Sequence, residues 1–399
     1  DTKWHSGFLT IAKSTKAPIL PLFVDAKNSP LFYGVSMLYK PLATTLLVKE
    51  MFKQKRKHLP IRIGELVPVE SYLNSKLSKR HLVKLFKKHL YYIAYGKGGV
   101  FQTQAAIALP EDRQTLSKCI KKKCELLGET SDGKLIYLYQ HDTSSSVMRE
   151  IGRLREIAFR AVGEGTNKRR DIDKYDNDYY HLILWDKEDL EIAGAYRFGD
   201  AKHLVQSKGV SGLYSSTLFT YSEMMTPYFE QGLELGRSFV QPKYWGKRSL
   251  DYLWYGIGAF LKKHPEYRYL FGPVSLSNAY PKPAKDLLIQ FYSAHFGQSS
   301  KSRAKAAAKV PYLLPIKSIS PFKGEDYKQD FTHLKHLLAN MGLAVPTLYK
   351  QYSETYDEGG VEFVDFSIDA EFGDCIDALV IGDISMMKQK KRSRYLAST

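Results

Sequence analysis

The sequence predicts an α/β fold with a mixed sheet and flanking helices, and three stretches carry that prediction. Residues 148–162 have an amphipathic helical pattern, and the apolar runs HLILWD and EIAGAYRF, joined by a short acidic turn, indicate an antiparallel hairpin. Residues 229–254 indicate a strand, a turn that contains Gly246 and a helix that begins near Ser249. With 399 residues and 44% hydrophobic composition the chain can bury a sizeable core, and we expect two or more domains.

The first segment, residues 1–70, indicates a helix followed by a short buried strand at 19–24. Its Pro-Ile-Leu-Pro block at 18–21 and a later strand that ends at Gly64 resemble the back half of a glycerophosphate-type acyltransferase domain. The catalytic motif of that family, His and Asp separated by four residues, does not occur in the segment. His181 and Asp186 have the spacing but lie in an apolar run far downstream. We therefore expect the C-terminal part of an α/β glycerolipid acyltransferase domain without activity of its own, in a chain that is a fragment of a longer protein.

Residues 71–145 predict a basic linker helix and a segment that leads into the next domain. The helix at 75–95 has an apolar stripe and a basic face, formed respectively by Leu82, Leu85, Phe86, Leu90 and Ile93 and by Lys79, Arg80, Lys84, Lys87 and Lys88. A helix of this kind lies on an anionic bilayer or docks two domains, and the pattern allows both. A second helix near 111–127 and a strand near 135–139 follow.

Residues 146–399 carry the most specific pattern in the chain. Helix, polar loop, antiparallel hairpin, strand, turn and helix follow in the order of the acetyltransferase-like (GNAT) fold. Seven residues within these elements also follow a pattern that two protein families share: Arg155, Phe159, Asp173, Asp176, Arg197, Glu234 and Arg237. In this pattern the segment resembles the acyl-homoserine-lactone synthases and the ornithine-lipid N-acyltransferases, GNAT-fold proteins that take their acyl group from acyl carrier protein.

The ornithine-lipid branch is matched further by residues 234–238, by Leu253 with Trp254 and by residues 271–275. Together with the acyltransferase-like segment in front, the layout resembles bifunctional ornithine-lipid synthases, often labelled hemolysin-like. The resemblance implies transfer of a (3-hydroxy)fatty acyl group from the acyl-phosphopantetheine of acyl carrier protein to the α-amino group of ornithine, with no bound cofactor. It implies the second, O-acylating step only for the full-length protein.

The turn after the core strand predicts the donor site. A strand, a turn and a helix N-terminus in this order offer backbone N–H groups to a phosphate. Arg248 stands where enzymes that use coenzyme A favour a small residue, which suits the single phosphodiester of acyl carrier protein. We expect Lys243, Gly246, Lys247 and Arg248 to bind this donor, and a solvated basic loop is the alternative. The backbone N–H groups of Phe239 and Val240 would stabilise the oxyanion.

Acyl transfer to an amine needs a base, and Glu234 is the predicted one because burial beside Phe239 would raise its pKa. Asp173 and Asp176 are predicted to hold a cationic amino acid, or to cap local turns. Phe159 joins this predicted substrate site through the family pattern. The predicted contacts to the substrate carboxylate, which alternatively neutralise the acidic cluster, are Arg155, Arg197 and Arg237.

The charge balance predicts an acidic partner, because the formal net charge is +17 and the pI is about 9.4. An anionic membrane surface and acyl carrier protein both satisfy it. Zinc-finger spacing, RNP-like motifs and basic zippers are absent from the sequence, so we expect no nucleic acid partner. The three cysteines are too few and too badly spaced for a metal site, and no run reaches the ~18 apolar residues of a transmembrane helix. We expect a cytoplasmic protein, peripheral on the inner face of the membrane.

Two other functions fit the same sequence. One is a GNAT-fold acyltransferase that acts on another amino acid or amine. The other is a catalytically inactive scaffold at a membrane surface.

Overall fold

The computed structural model describes residues 4–53, 55, 58–73, 75–141, 145–297, 305–315 and 320–396. Two compact units are present, Asp1–Ala106 and Ile107–Thr399. This division differs from the predicted one, in which residues 71–145 formed a linker. Residues up to 106 join the first unit because the apolar stripe of their long helix is buried in its core, and residues 107–145 join the second because they supply two strands of its sheet.

The first unit contains five helices and two strands among its described residues: α1 (Gly7–Thr15), β1 (Leu22–Val24), α2 (Pro30–Leu38), α3 (Lys40–Lys53), β2 (Ile61–Ile63), α4 (Glu70–Leu73) and α5 (Lys79–Ala94). β1 and β2 pair antiparallel. The small core joins Leu9 of α1 and Tyr72 of α4 to Leu82 and Phe86 of α5. The apolar stripe of α5 was predicted to contact a bilayer or a second domain. Two of its residues, Leu82 and Phe86, instead pack in the core of the first unit.

The second unit alternates strands and helices along the chain. Its helices are α6 (Arg113–Lys123), α7 (Ser146–Arg160), α8 (Ala201–Lys208), α9 (Thr226–Glu230), α10 (Ser249–Lys263), α11 (Lys282–Phe296), α12 (Tyr327–Ala339), α13 (Thr347–Thr355) and α14 (Gln389–Tyr395). Its strands are β3 (Glu125–Glu129), β4 (Leu135–Gln140), β5 (Tyr180–Asp186), β6 (Glu191–Asp200), β7 (Phe219–Tyr221), β8 (Gly232–Val240), β9 (Tyr269–Leu276), β10 (Ala306–Ala308), β11 (Val361–Asp369) and β12 (Cys375–Asp383). Among the described residues of both units, no helix has the length and apolarity needed to cross a bilayer.

Eight of the described strands form one sheet in the order β11-β12-β9-β8-β6-β5-β4-β3, and β7 pairs with β10 in a small second sheet. β8 and β9 run parallel, whereas the other described neighbours in the large sheet run antiparallel. The predicted mixed sheet with flanking helices is confirmed.

Helices cover both faces of this sheet, as the alternation within β5 requires. Leu182 and Leu184 belong to the core that α10 completes with Leu253 and Ile257. The intervening β5 residues, Ile183 and Trp185, belong to a separate core that α7 completes with Val147, Ile151 and Leu154. Both α7 and α10 were predicted from their apolar spacing, and α10 begins at Ser249 as expected.

The parallel pair creates the opening for a site. β8 and β9 are paired only from Gly232 opposite Tyr269 to Glu234 opposite Phe271. Beyond Glu234 each strand continues without the other, β8 to Val240 and β9 to Leu276. Two parallel strands that separate in the middle of a sheet leave a gap between them, and residues from α7, α10 and α13 surround it.

Candidate active site

A cavity of about 670 Å³ lies where β8 and β9 separate. Its lining is mostly apolar and includes Phe159 of α7, Val240 of β8, Leu250 of α10, Val274 of β9 and Leu348 of α13. A few polar groups share the cavity, among them the carboxylates of residues 164 and 377. An apolar concave site with a small number of polar groups is the usual form of a small-molecule site.

A β-bulge shapes the β8 side of the cavity. Ala195 of β6 pairs with Phe239 and Arg197 pairs with Gly236, so β8 has one more residue than β6 between these points. Within the bulge Arg237 adopts a φ of 50°, in the left-handed region that residues with a Cβ seldom occupy. Strained backbone of this kind clusters at functional sites.

The side chain of Arg237 lines the cavity and is held from two sides. Its guanidinium donates a hydrogen bond to the Tyr214 hydroxyl at 3.0 Å, and its Nε lies 3.1 Å from a carboxylate oxygen of Asp171. The Tyr214 hydroxyl in turn donates to Asp369 at 3.2 Å. Arg237 therefore presents a fixed positive charge to the cavity.

Glu234 has a different environment from the one that its sequence position suggested. Only 1% of the residue is exposed, and it is absent from the cavity lining. Its carboxylate accepts hydrogen bonds from the backbone N–H groups of Tyr214 at 3.0 Å and Ser215 at 2.7 Å, and from the hydroxyls of Ser215 and Tyr179. Burial raises the pKa of Glu234, and the hydrogen bonds of Ser215 and Tyr179 oppose that rise. This geometry favours a role in holding the short turn Tyr214–Thr217 against β8 over the predicted role as base.

Asp173 and Asp176 cap a turn, the second of the two predicted alternatives. Asp173 caps the short 3-10 turn Lys174–Asn177 by accepting from the Tyr175 N–H, and the Asp176 side chain accepts from the Asp173 N–H at 2.8 Å. Neither residue belongs to the cavity lining, so the structure does not bring them to the position of a substrate there.

The two arginines predicted beside these aspartates neutralise them. Arg155 donates to Asp176 at 2.8 Å, and Arg197 donates to Asp176 at 3.0 Å and to Asp173 at 2.7 Å. Although burial opposes ionisation, the two guanidiniums hold the pKa of the Asp176 carboxyl well below its ordinary value. His181 completes the cluster and stays neutral, because burial and then Arg155 lower its pKa to about 3. These charges stabilise each other inside the protein.

Two acidic residues that the sequence analysis did not select do line the cavity. Glu164 follows α7 in a turn between Gly163 and Gly165, whose φ values of 78° and 112° are readily adopted only by glycine. Asp377 lies on β12 and accepts a hydrogen bond from the Ser275 hydroxyl of β9 at 2.6 Å. The available signals were the Gly-Glu-Gly turn at a helix end and a lone acidic residue within the apolar run CIDALVI.

The pKa values of these two carboxyls suit proton transfer near neutral pH. Burial, followed by the charge of Asp377, raises the pKa of Glu164 to about 8. Burial raises the pKa of Asp377 to about 6, against the hydrogen bond from Ser275. Two carboxyls of shifted pKa in one cavity are a common arrangement for acid–base chemistry.

The predicted donor loop is divided between the cavity and the surface. Phe239, Val240, Gly246 and Lys247 line the cavity, as does the predicted substrate contact Phe159. Lys243 instead forms ion pairs with Asp189, at 2.6 Å, and with Glu191. Arg248 is half exposed and lies 3.3 Å from Asp251 in the first turn of α10. Lys243 and Arg248 are thus outside the cavity lining.

Comparison with known families agrees with the division into two units. Residues 154–255 match the acetyltransferase (GNAT) domain family, and residues 1–97 match an acyltransferase family. The first match covers the second half of α7, the β5–β6 hairpin, β8 and the first half of α10, and so includes much of the cavity lining.

The relatives found include two kinds of N(alpha)-acyltransferase and one O-acyltransferase. The chain is 31% identical to a glycine N(alpha)-acyltransferase of Phocaeicola vulgatus over 286 residues, which is 66% of this chain and 84% of that protein. It is 31% identical to an L-ornithine N(alpha)-acyltransferase of Agrobacterium fabrum over 117 residues, 28% of this chain and 39% of that protein. It is 28% identical to a lyso-glycine lipid O-acyltransferase of Phocaeicola vulgatus over 82 residues, 19% of this chain and 29% of that protein.

Proposed function

This chain belongs to the N(alpha)-acyltransferase family with a GNAT domain, and from that premise we propose that it transfers a fatty acyl group from a thioester to the α-amino group of an amino acid. The proposal rests on the apolar cavity where β8 and β9 separate. Two carboxyl groups, of Glu164 and Asp377, and the guanidinium of Arg237 line it. Its volume and apolar lining suit a fatty acyl chain better than an acetyl group.

We propose glycine as the preferred acceptor and ornithine as the second candidate. The glycine enzyme of Phocaeicola vulgatus is matched over 84% of its length, and the ornithine enzyme of Agrobacterium fabrum over 39%. The aspartates that would have bound the side-chain ammonium of ornithine, Asp173 and Asp176, are already paired with arginines. This pairing removes the argument that Asp173 and Asp176 bind a cationic amino acid.

In the proposed reaction a neutral amine attacks the thioester carbonyl. The C–N bond forms, the C–S bond breaks, and the thiolate departs with the electron pair of that bond. The amine proton passes to the carboxylate of Asp377, which a pKa of about 6 leaves mostly ionised at neutral pH, or to Glu164 in the smaller fraction that is ionised below its pKa of about 8. The positive charge of Arg237 attracts the carboxylate of the amino acid.

The negative charge that develops on the carbonyl oxygen needs hydrogen-bond donors. The bulge in β8 lies immediately before Phe239 and Val240, both in the cavity lining. We assign the oxyanion to backbone N–H groups of this stretch, as the sequence suggested. Both residues pair with β6, and beside them β8 has already separated from β9, so an N–H group that points towards β9 is available to a ligand in the cavity.

The proposed donor is the acyl-phosphopantetheine of acyl carrier protein. Lys247 at the cavity and the N-terminus of α10 next to it provide a positive region for the phosphodiester. The unit that contains the cavity carries +4 of the chain's net charge of +17, and a positive charge suits the acidic surface of a carrier protein. The product would be an amphiphile, so the enzyme would work beside an anionic membrane. The ester-linked second acyl group is proposed only for a longer protein with a complete acyltransferase domain.

The test uses the purified chain with acyl carrier protein or coenzyme A carrying plain or 3-hydroxy fatty acyl groups. Glycine, ornithine and lysine are offered separately, and the products are identified by mass spectrometry. We expect N-acylglycine as the main product and higher kcat/KM with the carrier protein than with coenzyme A. Absence of N-acylated product with every donor and acceptor would refute the proposal. N-acylornithine as the main product would overturn only the choice of acceptor.

A further inference from the structure

The helical hairpin of the first unit exposes an unusual number of large apolar side chains. α2 contains no charged residue among its nine and no buried one. The most exposed apolar residues are at the hairpin tip, where Met37 is 88% and Leu38 is 89% exposed. We define the hairpin face as the exposed apolar residues of α2, α3 and the residue between them: Leu31, Tyr33, Met37, Leu38, Tyr39, Leu47, Val48, Met51 and Phe52.

The hairpin is held in shape by specific contacts at its other end. Ser29 caps α2 by accepting from the Phe32 N–H at 3.3 Å. Glu50 of α3 accepts from the Ser29 N–H at 2.6 Å and from the Ser29 hydroxyl at 2.7 Å, and Lys53 donates to the same carboxylate. The hydrogen bonds from Lys53 and Ser29 lower the pKa of Glu50 to about 2. Hydrogen bonds between α2 and α3 therefore hold the base of the hairpin from which the apolar tip extends.

The charge of the chain is concentrated in the same unit. Residues 1–106 contain 18 Lys and Arg against 5 Asp and Glu, which leaves +13 of the formal +17 on this unit and +4 on the rest. A body of this charge is attracted to an anionic lipid surface, and the attraction grows with the number of basic residues near that surface. An apolar patch of this size on an otherwise charged body also needs a partner, because apolar side chains exposed together to water are unfavourable.

We propose that the hairpin face is a membrane-contact surface that inserts into the interfacial region of an anionic bilayer. The basic charge of the first unit attracts the protein to the lipid, and Met37, Leu38 and their neighbours then leave water. Tyr33, Tyr39 and Phe52 are aromatic residues of the kind that favour the boundary between headgroups and acyl chains. The basic helix α5 cannot take this role with its apolar stripe, because Leu82 and Phe86 belong to the core.

The test measures binding of the whole chain to vesicles of phosphatidylcholine with and without phosphatidylglycerol, at low and high salt. The test variant is the double substitution Met37→Asp with Leu38→Asp. Its matched control, Leu109→Asp with Leu313→Asp, adds the same charge at two strongly exposed leucines of the second unit, which are 81% and 75% exposed. Thermal melts establish that all three proteins are folded.

We expect the wild-type chain to bind the anionic vesicles, the control to bind nearly as well, and the hairpin variant to bind at least about tenfold more weakly, as for two large apolar side chains that stay in water. Added salt should weaken all three without removing the difference between them. Equal binding by the hairpin variant and the control would overturn the proposal. Failure of the wild-type chain to bind anionic vesicles would overturn it as well. Self-association that the hairpin variant abolishes, without vesicle binding, would assign the face to a second copy of the chain. Glycine acylation is a separate readout, so either proposal can fail alone.

Discussion

Two groups of buried charge lie in the second unit, and they differ in how fully they are paired. The first, which we call the closed group, contains Asp176 and Glu234, whose carboxylates are fully paired. Asp176 contacts two arginines, and Glu234 accepts hydrogen bonds from two backbone N–H groups and two hydroxyls. In the open group, Glu164 and Asp377 line a cavity, and the hydrogen bonds to Asp377 come from Ser275 and Cys375. Burial acts on all four carboxyls, but only the open pair faces space that a substrate can fill.

From this difference we infer that a charge beside the core does not by itself indicate catalysis. A carboxylate that is fully paired has no site left for the proton of a substrate, and removing a partner from it costs folding free energy. A carboxylate with few partners in a cavity has a raised pKa and can accept a proton. Variants of the open group should therefore affect turnover, and variants of the closed group should affect stability.

The largest effect is expected for Glu164→Gln. If Glu164 is the base, kcat should fall by about 10² to 10⁴ because a positioned base contributes that much to the rate. The thermal melt should show no loss of stability, because Gln is neutral and so avoids the cost of protonating a carboxyl on folding. Steady-state kinetics with glycine and an acyl-carrier-protein donor measure the change. Asp377→Asn is the companion variant, and wild-type kcat in both would exclude the pair as base.

The pH dependence of stability provides a control that does not depend on activity. The pKa of Glu164 rises on folding from 4.5 to about 8, so between these pH values the folded state keeps a proton that the unfolded state releases. The free energy of unfolding should therefore decline as pH rises through this window, and Glu164→Gln should reduce the decline. Chemical denaturation at several pH values tests this, and an unchanged slope would contradict the raised pKa.

Asp176→Asn should lower the free energy of unfolding by about 3–5 kcal/mol, because it leaves Arg155 and Arg197 buried without their shared counter-charge. The matched surface variant is Lys187→Ala, which breaks a half-exposed pair with Glu129 and should cost at most about 1 kcal/mol. Urea denaturation compares the two. Similar small losses in both would mean that the cluster is not closed as described.

Glu234→Gln separates the structural role from the predicted catalytic one. The amide group of Gln would face N–H and O–H donors, and we expect a loss of about 1–3 kcal/mol for a buried donor left unpaired. The kcat of the folded protein should stay within a few fold of wild type. A loss of 10² or more in kcat with an unchanged melting temperature would restore Glu234 as the base.

The smallest effect concerns the donor loop, where Lys247 lines the cavity and Arg248 pairs with Asp251 at the surface. Lys247→Ala should raise the KM for acyl carrier protein several fold at low salt and spare kcat. Arg248→Ala should change this KM less. A larger rise in KM for Arg248→Ala than for Lys247→Ala would instead favour Arg248 as the contact to the donor phosphodiester.

Much of the fold could be predicted because its signals are local. The helical spacing of apolar residues placed α7 and α10, and the alternating runs placed the β5–β6 hairpin. The start of α10 at Ser249 followed from the turn before it. Phe159 of α7, which the family pattern placed at the substrate site, lines the cavity. The mixed sheet and its flanking helices could therefore be predicted from the sequence alone.

The site itself depended on contacts between distant parts of the chain. Glu164 follows the first helix of the GNAT-like segment and Asp377 lies on the last strand, and only the order of strands in the sheet brings both to one cavity. Glu234 was chosen for its place in a core strand, but its donors come from the turn at Tyr214 and Ser215 and from Tyr179, which its own strand does not reveal. The sequence by itself determined which segments become helices and strands, because backbone conformation follows from neighbouring residues. The tertiary structure decided which carboxylates are closed and which are open, because the pKa and accessibility of a carboxyl depend on all the groups that surround it.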